Sequence, residues 1–514
     1  MPFFRCFSLR AVGAWLVLLG GPLFFLACEP QEDIVTTNPG ATLTASVETV
    51  RFDTVFTNRG SITKRFWVYN RNAKAVRVDE IGLAGKPSAV ATFLLIINGR
   101  ETTILRNFEL RGKDSVLVLV KVTIDPTAVD TVFLVPDSVL LRANGTTRYV
   151  RLRAYGENAR YYDAPPGFAP VIACGDTWTD RRPIVLLKTA IVDANCVLTI
   201  DPGTRVYLAK NASLLVRGRL RCGSLAPDAK PVKFRGLRRD DFFDTTDPRY
   251  ADLPLDLAKY ANTPAQWGAI ILEEQPGSQL TQEDELFNTD IRNSTVGVFI
   301  SGTLYLRGQR VRIENCFIRY AYVAGVYGEA AGFGGGVEMV NTVVSRCGER
   351  AVINLGGGTW HLAHCTLDMS GAIFGRRDTE ALYFDNALTL PSGRFKSDHF
   401  ITFENSILWS GLRDNNGDLQ NEIRLIRQSP ADDSLFTFRH SVLQTPFARF
   451  NTDGVHYGRG EAGTNVLNED PRFRDAAAPV KLDLRLDSLR SPARRLGEAL
   501  SPPVPLDLRN DPMR

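Results

Sequence analysis

An excess of charge of either sign is missing from this chain: 61 Lys and Arg face 57 Asp and Glu over 514 residues, a formal net of +4. So even a balance removes the electrostatic argument for nucleic acid or for an anionic membrane surface as partner. Long apolar runs are scarce too. The run from Ala11 to Ala27, broken by Gly and Pro and preceded by Arg5 and Arg10 without an acid, is too short for a stable span and reads as a secretory signal over residues 1–27. Cysteine is sparse, with eight in all. Six of these lie beyond residue 28, and an extracytoplasmic location permits disulfides among them; Cys174 with Cys196 is the pairing singled out. Metal-binding spacings are lacking as well. His361 and His364 stand three apart, so within a strand they point to opposite faces, which argues against a zinc cluster with Cys365. The polar run 414–418 has Leu419 where a calcium loop needs Gly, and no Glu at the twelfth position. No metal site is expected.

What is present is repetition. One short pattern returns six times between residues 290 and 444, as DIRNSTV, RIENCFI, EMVNTVV, HLAHCTL, TFENSIL and TFRHSVL. Aligned on the fourth letter, the copies place Asn293, Asn315, Asn341, His364, Asn405 and His440 in one column, at spacings of 22, 26, 23, 41 and 35. The next residue is always small and bears a hydroxyl or thiol: Ser294, Cys316, Thr342, Cys365, Ser406, Ser441. Alternation before each polar pair and apolar residues after it read as strand, corner, strand. A period in the low twenties suits one coil of a parallel β-solenoid. Asn suits the corner because it tolerates the left-handed backbone region, and stacked about 4.8 Å apart its side chains can bond along a ladder. On that stacking Cys316 and Cys365 are two coils apart and cannot form a disulfide.

These repeats resemble the right-handed parallel β-helix of pectate lyases, polygalacturonases and bacterial surface β-helix proteins, from about Pro170 to Arg514. The resemblance implies a right-handed, single-stranded, pectin-lyase-like β-helix over residues 171–445, with a closing segment and cap over 446–514 that includes Asp470-Pro471-Arg472-Phe473. Ahead of it, seven short alternating strands over residues 46–157 argue a β-sandwich. The phrases Phe52-Asp53-Thr54-Val55-Phe56 and Val68-Tyr69-Asn70 resemble hydin-like immunoglobulin-type modules. Residues 158–170, with Asp-Ala-Pro-Pro-Gly, read as a linker. The class is therefore all-β, a sandwich followed by a solenoid. Phe25-Leu26-Ala27-Cys28 is similar to a bacterial lipobox, which implies acylation of Cys28 and a tether over 28–45. Acidic residues directly after it resemble the surface-export signals of Bacteroidetes lipoproteins. The location implied is the outer membrane, lipid-anchored, on the cell surface or the periplasmic face.

Catalysis has little support in the sequence. Asn288-Thr289-Asp290, Asp240-Asp241 and Arg394-Phe395-Lys396 imitate polygalacturonase motifs, but out of order and without a Gly-His-Gly. No repeats supply the aligned acids of a calcium-dependent lyase. A different signal lies in Gly297-Val298-Phe299, Gly325-Val326-Tyr327, Ala351-Val352-Ile353 and Ala372-Ile373-Phe374. With Val298, Val326, Val352 and Ile373 inward, alternation turns Phe299, Tyr327, Ile353 and Phe374 outward in one column. Phe299, Tyr327 and Phe374 are the candidate ligand-binding residues, unless an insertion or the tail covers them. The expectation is a monomer without cofactor, partnered by membrane lipid through its anchor, that binds or adheres to polysaccharide. The alternative is a polysaccharide lyase acting on acidic polysaccharide, for which Ca²⁺ would be needed.

Overall fold

The computed structural model describes residues 34–85, 88–238, 263–273, 283–302, 309–331, 334–370, 379–391, 393–429, 435–446, 464–475, 483–494 and 496–498. The signal, Cys28, Asp240, Asp241 and Phe374 lie outside them. The chain divides into two units, Met1–Glu157 and Asn158–Arg514.

The first unit is a sandwich of two sheets. One orders Val35–Thr36, Ala75–Leu83, Phe133–Ala143, Thr146–Glu157 and Thr49–Phe56, with Ile104–Leu110 also on Ala75–Leu83; the other orders Thr44–Ala45, Lys64–Tyr69, Ser115–Ile124, Ala91–Ile97 and Arg100–Thr102. Alternation builds its core: Val116, Val118, Val120, Val122 and Ile124 are buried on one face of a single strand. Two Asn-Gly pairs make its hairpins. Asn98-Gly99 and Asn144-Gly145 hold φ of 49°, 77°, 50° and 76°, as a two-residue turn between right-twisted strands requires. Thr49–Phe56 closes the first sheet parallel to Thr146–Glu157, an immunoglobulin-like feature.

The second unit is a parallel β-helix. One coil runs Gln309–Glu314, Phe317–Arg319, Ala324–Glu329, and the next begins at Gly334–Val340. Stacking gives three long sheets of nine, eleven and eight strands, in the order just named, paired parallel throughout. Inward aliphatic and aromatic residues form one continuous core from Tyr162 to Leu443. Small residues at the start of the eight-stranded sheet are steric necessities: a Cβ on Gly325 would lie 2.2 Å from Val344. Both ends of the solenoid extend past the boundaries read from sequence. Arg160–Tyr162, placed in the linker, pairs with Ile184–Leu186 as the first strand of the eleven-stranded sheet, and Val466–Leu467 pairs with Val442–Leu443 beyond residue 445. Cys174 and Cys196 are disulfide-bonded near the first coils, whereas Cys222, Cys316, Cys347 and Cys365 are free and buried.

The corner between the nine- and eleven-stranded sheets carries Asn315, Asn341, His364, Asn405 and His440 at φ between 48° and 56°. Its first member is Asn288 (φ 46°), not Asn293. Asn293 (φ 67°) stands at the other end of the eleven-stranded sheet, where Tyr320 and Arg346 take the same left-handed conformation on later coils. Backbone bonds agree: Asn288 N donates to Glu314 O and Asn315 N to Val340 O, but Asn293 N donates to Arg319 O. Asn288-Thr289 and Asn293-Ser294 fit the motif equally well, and both corners need positive φ, so pattern alone could not separate them.

The longer side-chain ladder belongs to the residue after the corner. Amides of Cys316, Cys365 and Ser406 donate to hydroxyls of Thr342 (3.4 Å), Ser406 (2.9 Å) and Ser441 (3.1 Å) one coil on, and Ser441 N donates to Asn465 Oδ1 (3.0 Å). In the Asn column, Asn341 Nδ2 donates to Asn315 Oδ1 at 2.6 Å. Asn341→Ala orphans that acceptor and puts a Cβ-bearing residue without a local hydrogen bond at positive φ. We expect a loss of about 1–3 kcal/mol by denaturant unfolding. Asn341→Gly, free of the backbone strain, should cost less; equal losses would remove strain as a cause.

The tail covers one outer face. Val466, Phe473, Leu486, Ala493 and Leu496, joined by Leu419 of the loop that follows Ser410, pack against Ile407, Trp409 and Val442 on strands of the eleven-stranded sheet. Asn405 Nδ2 donates to Glu498 O (2.7 Å), and His440 Nδ1 lies 3.1 Å from Leu496 O.

Candidate functional site

On the eight-stranded sheet the outward column runs in register through Leu215, Ile271, Phe299, Tyr327, Ile353, Tyr383 and Arg424. Val298, Val326 and Val352 are fully buried beneath it. The place assigned to Phe374 is held by Tyr383. Ala381-Leu382-Tyr383 fits the small–apolar–outward pattern as well as Ala372-Ile373-Phe374 does, and the long insertion hid which of them continued the stack. Phe299 and Tyr327 stack at 5.2 Å between centroids with ring planes 21° apart. That arrangement turns aromatic faces along the column and edges outward, so a sugar ring would meet edges. Arg350 lies 4.3 Å over Tyr383 and pairs with Glu380 (3.6 Å). Burial, helped by Glu329, pushes the Tyr327 hydroxyl up to about 12, which leaves it protonated and a poor base.

Acids and bases converge on the nine-stranded sheet. Its central outward column reads Arg221, Glu285, Arg312, Glu338, His361, Thr402, with Glu314 and Glu404 two residues along their own strands. Arg310 reaches Glu338 (3.3 Å) and Glu283 (3.7 Å), and Arg312 reaches Glu314 (3.0 Å) and Glu338 (3.5 Å). His361 lies between two carboxylates, Nε2 2.6 Å from Glu404 and Nδ1 3.9 Å from Glu338, and Arg439 completes the Glu404 pair.

The charges set one another. Glu338 and Glu404 hold the His361 imidazolium up at about 9, and His361, with Arg312 and Arg310, holds Glu338 down at about 2. Burial opposes ionisation of Glu404, but His361 and Arg439 outweigh it and its pKa falls. Near neutral pH the group is therefore a chain of ions, with His361 already protonated and so unable to act as a base. Glu314 alone shifts the other way, raised by burial and by Glu338 against the pull of Arg312. His361 contributes stability that is complete below its ordinary 6.5 and is lost as pH rises through about 9; Glu338 contributes stability complete above 4.5 and lost as pH falls through about 2. Stability should thus be greatest between about pH 4.5 and 6.5 and decline toward 9, and His361→Gln should flatten the alkaline decline. Thermal melts across that range check it.

Of the polygalacturonase-like strings, the two within the described residues lie on separate elements. Asp290 lies on the eleven-stranded sheet among three arginines, while Arg394 and Lys396 are on a separate hairpin, Ala387–Leu390 with Gly393–Lys396. The 414–418 loop satisfies itself: Asp414 Oδ1 accepts from the amides of Asn416 (2.8 Å) and Asp418 (3.0 Å). Among the described residues no group of three or more His, Cys, Asp or Glu could hold a metal ion.

No protein-family model and no curated protein matches this chain. Among solved structures, the catalytic domain of a glycoside hydrolase family 87 α-1,3-glucanase in complex with nigerose aligns over 79% of this chain and 88% of its own, at 9% identity and a TM-score of 0.23. The catalytic unit of the thermostable family 87 enzyme from Streptomyces thermodiastaticus aligns over 77% and 82%, at 10% identity and 0.18. A PapD-like domain of human CEP192 aligns over 26% of this chain and 92% of its own, at 12% identity and 0.16.

Proposed function

We propose that this is a lipid-anchored outer-membrane protein, monomeric, whose β-helix binds polysaccharide at the cell surface or the periplasmic face without cleaving it. The immunoglobulin-like unit serves as its spacer from the membrane. The observation that carries the non-catalytic reading is the nine-stranded face: around His361, Glu338 and Glu404 are ion-paired and pulled toward the charged form, and the imidazole is protonated. A lyase needs a base ready to take a proton, and a glycosidase needs one carboxyl kept neutral beside an ionised one. A second reading, a carbohydrate-active enzyme, draws support only from the opposed shifts of Glu314 and Glu338 on that face.

Screening the full chain in detergent on a glycan array should give binding to polysaccharide. Polygalacturonate and alginate incubated with it, with and without Ca²⁺, should show no rise in the ultraviolet absorbance of an unsaturated uronide. Ca²⁺-dependent appearance of that absorbance, lost on chelation, would overturn the binding reading in favour of a lyase.

A further inference from the structure

On the outer face of the eleven-stranded sheet, arginines gather around Asp290. Asp290 Oδ2 lies 2.6 Å from Arg235 and 3.1 Å from Arg292, and its Oδ1 lies 3.1 Å from Arg319. Lys233, in register with Asp290, and Arg205, in register with Lys233, are on the same face. Among the described residues, three guanidiniums share this one carboxylate, an excess of two positive charges at that centre. The site is neither open surface nor core: side-chain exposure is 21% for Arg235, 30% for Arg292 and 17% for Arg319.

Hydrogen bonding is incomplete toward one side. Arg292 spends Nε and Nη2 on Asp290, and Arg235 spends Nη1 on the carbonyls of Phe234 and Asp290. Arg319 gives only Nη2 to Asp290, and its buried Nε finds no acceptor among the described residues. The next residue of its column, Ser345, is fully buried, and among the described residues its hydroxyl finds no partner either. Asp368 follows Ser345, two coils from Arg319, and accepts from Ser370 at 2.6 Å. Buried donors of this kind are costly unless something accepts from them. Burial of the cluster also registers in its cations. Burial, with Arg292 and Arg319 nearby, pulls Arg235 down to about 10, and burial lowers Arg319 despite Asp290.

We propose that Arg235, Arg292 and Arg319 form an oxyanion site, with Asp290 as the fixed counter-charge that orients them, which takes a carboxylate or sulfate group borne by an acidic polysaccharide. Guanidinium forks match the planar pair of oxygens of a carboxylate and two oxygens of a sulfate. Asp290 positions the forks and competes with the ligand, because it occupies donors that a ligand could use. The assignment of the polymer as source of the anion rests on the binding reading above, whereas the site itself does not.

Calorimetric titration of the full chain in detergent with sodium sulfate, galacturonate and polygalacturonate tests this. Arg292→Gln leaves Asp290 with two arginines and should weaken binding of every anion at least tenfold. Asp290→Asn removes the competitor and should tighten sulfate binding severalfold, a change of sign that a purely structural network would not produce. Sulfate bound without the polymer would keep the site, make a free small anion its ligand and overturn the polysaccharide source. Polygalacturonate bound equally by wild type and Arg292→Gln would overturn the site while leaving the binding reading intact. No heat with any of the three would overturn the site.

Discussion

Cys28→Ser is expected to abolish incorporation of a fatty-acid probe and to move the protein from the detergent phase to the aqueous phase. The effect should be nearly complete, because each buried CH₂ contributes about 0.8 kcal/mol and a multiply acylated cysteine holds a membrane where a single chain does not. Among the described residues no other thiol offers a substitute. Cys174 and Cys196 are joined to each other, and Cys222, Cys316, Cys347 and Cys365 are buried within the solenoid. Burial also pushes the thiols of Cys222 and Cys365 up to about 12, which removes the nucleophilic thiolate. Labelling that persists in Cys28→Ser would end the lipoprotein reading.

The largest single-residue loss of stability among the charged groups of the nine-stranded sheet is expected from Glu404→Ala. Glu404 is buried, and its removal strands the His361 imidazolium and the Arg439 guanidinium together. Deleting one partner of a buried ion pair costs about 3–5 kcal/mol, but His361 and Arg439 are 37% and 38% exposed, so about 2–3 kcal/mol is expected after solvent screening. Glu404→Gln keeps an acceptor for only one of the two, the other facing an amide NH2, and should lose less than Glu404→Ala. His361 should also titrate lower in both variants, which NMR of the imidazole would follow. The pair separates structure from catalysis. If Glu404 were a catalytic carboxylate, Glu404→Gln would extinguish turnover at an almost unchanged melting temperature; in an ion chain, melting temperature falls and there is no turnover to lose.

Much of the architecture is legible in the chain because a strand repeats every two residues and a corner requires a special backbone. Alternation places Val298, Val326 and Val352 inward and Phe299 and Tyr327 outward without any tertiary information, since the pleat alone assigns the faces. Asn and His recur at one corner because that corner demands positive φ, and Asn315, Asn341, His364, Asn405 and His440 all adopt it. Register between coils is another matter. Asn288 and Asn293 both satisfy the corner motif, and Tyr383 and the segment containing Phe374 both satisfy the outward one; only pairing with neighbouring strands decides between them.

Sites depend on register entirely. Glu338, His361 and Glu404 are 23 and 43 residues apart, and Arg235, Arg292 and Arg319 are 57 and 27 apart, so neither group has a spacing that sequence reading could seek. Insertions change the distance along the chain, while coils still stack at about 4.8 Å. The sequence by itself determined strands, faces and corners, because each is a local demand on backbone and side chain. Only the tertiary structure decided which charges meet, because in a β-helix neighbours come from adjacent coils, and the number of residues between coils is free to vary without altering the contact.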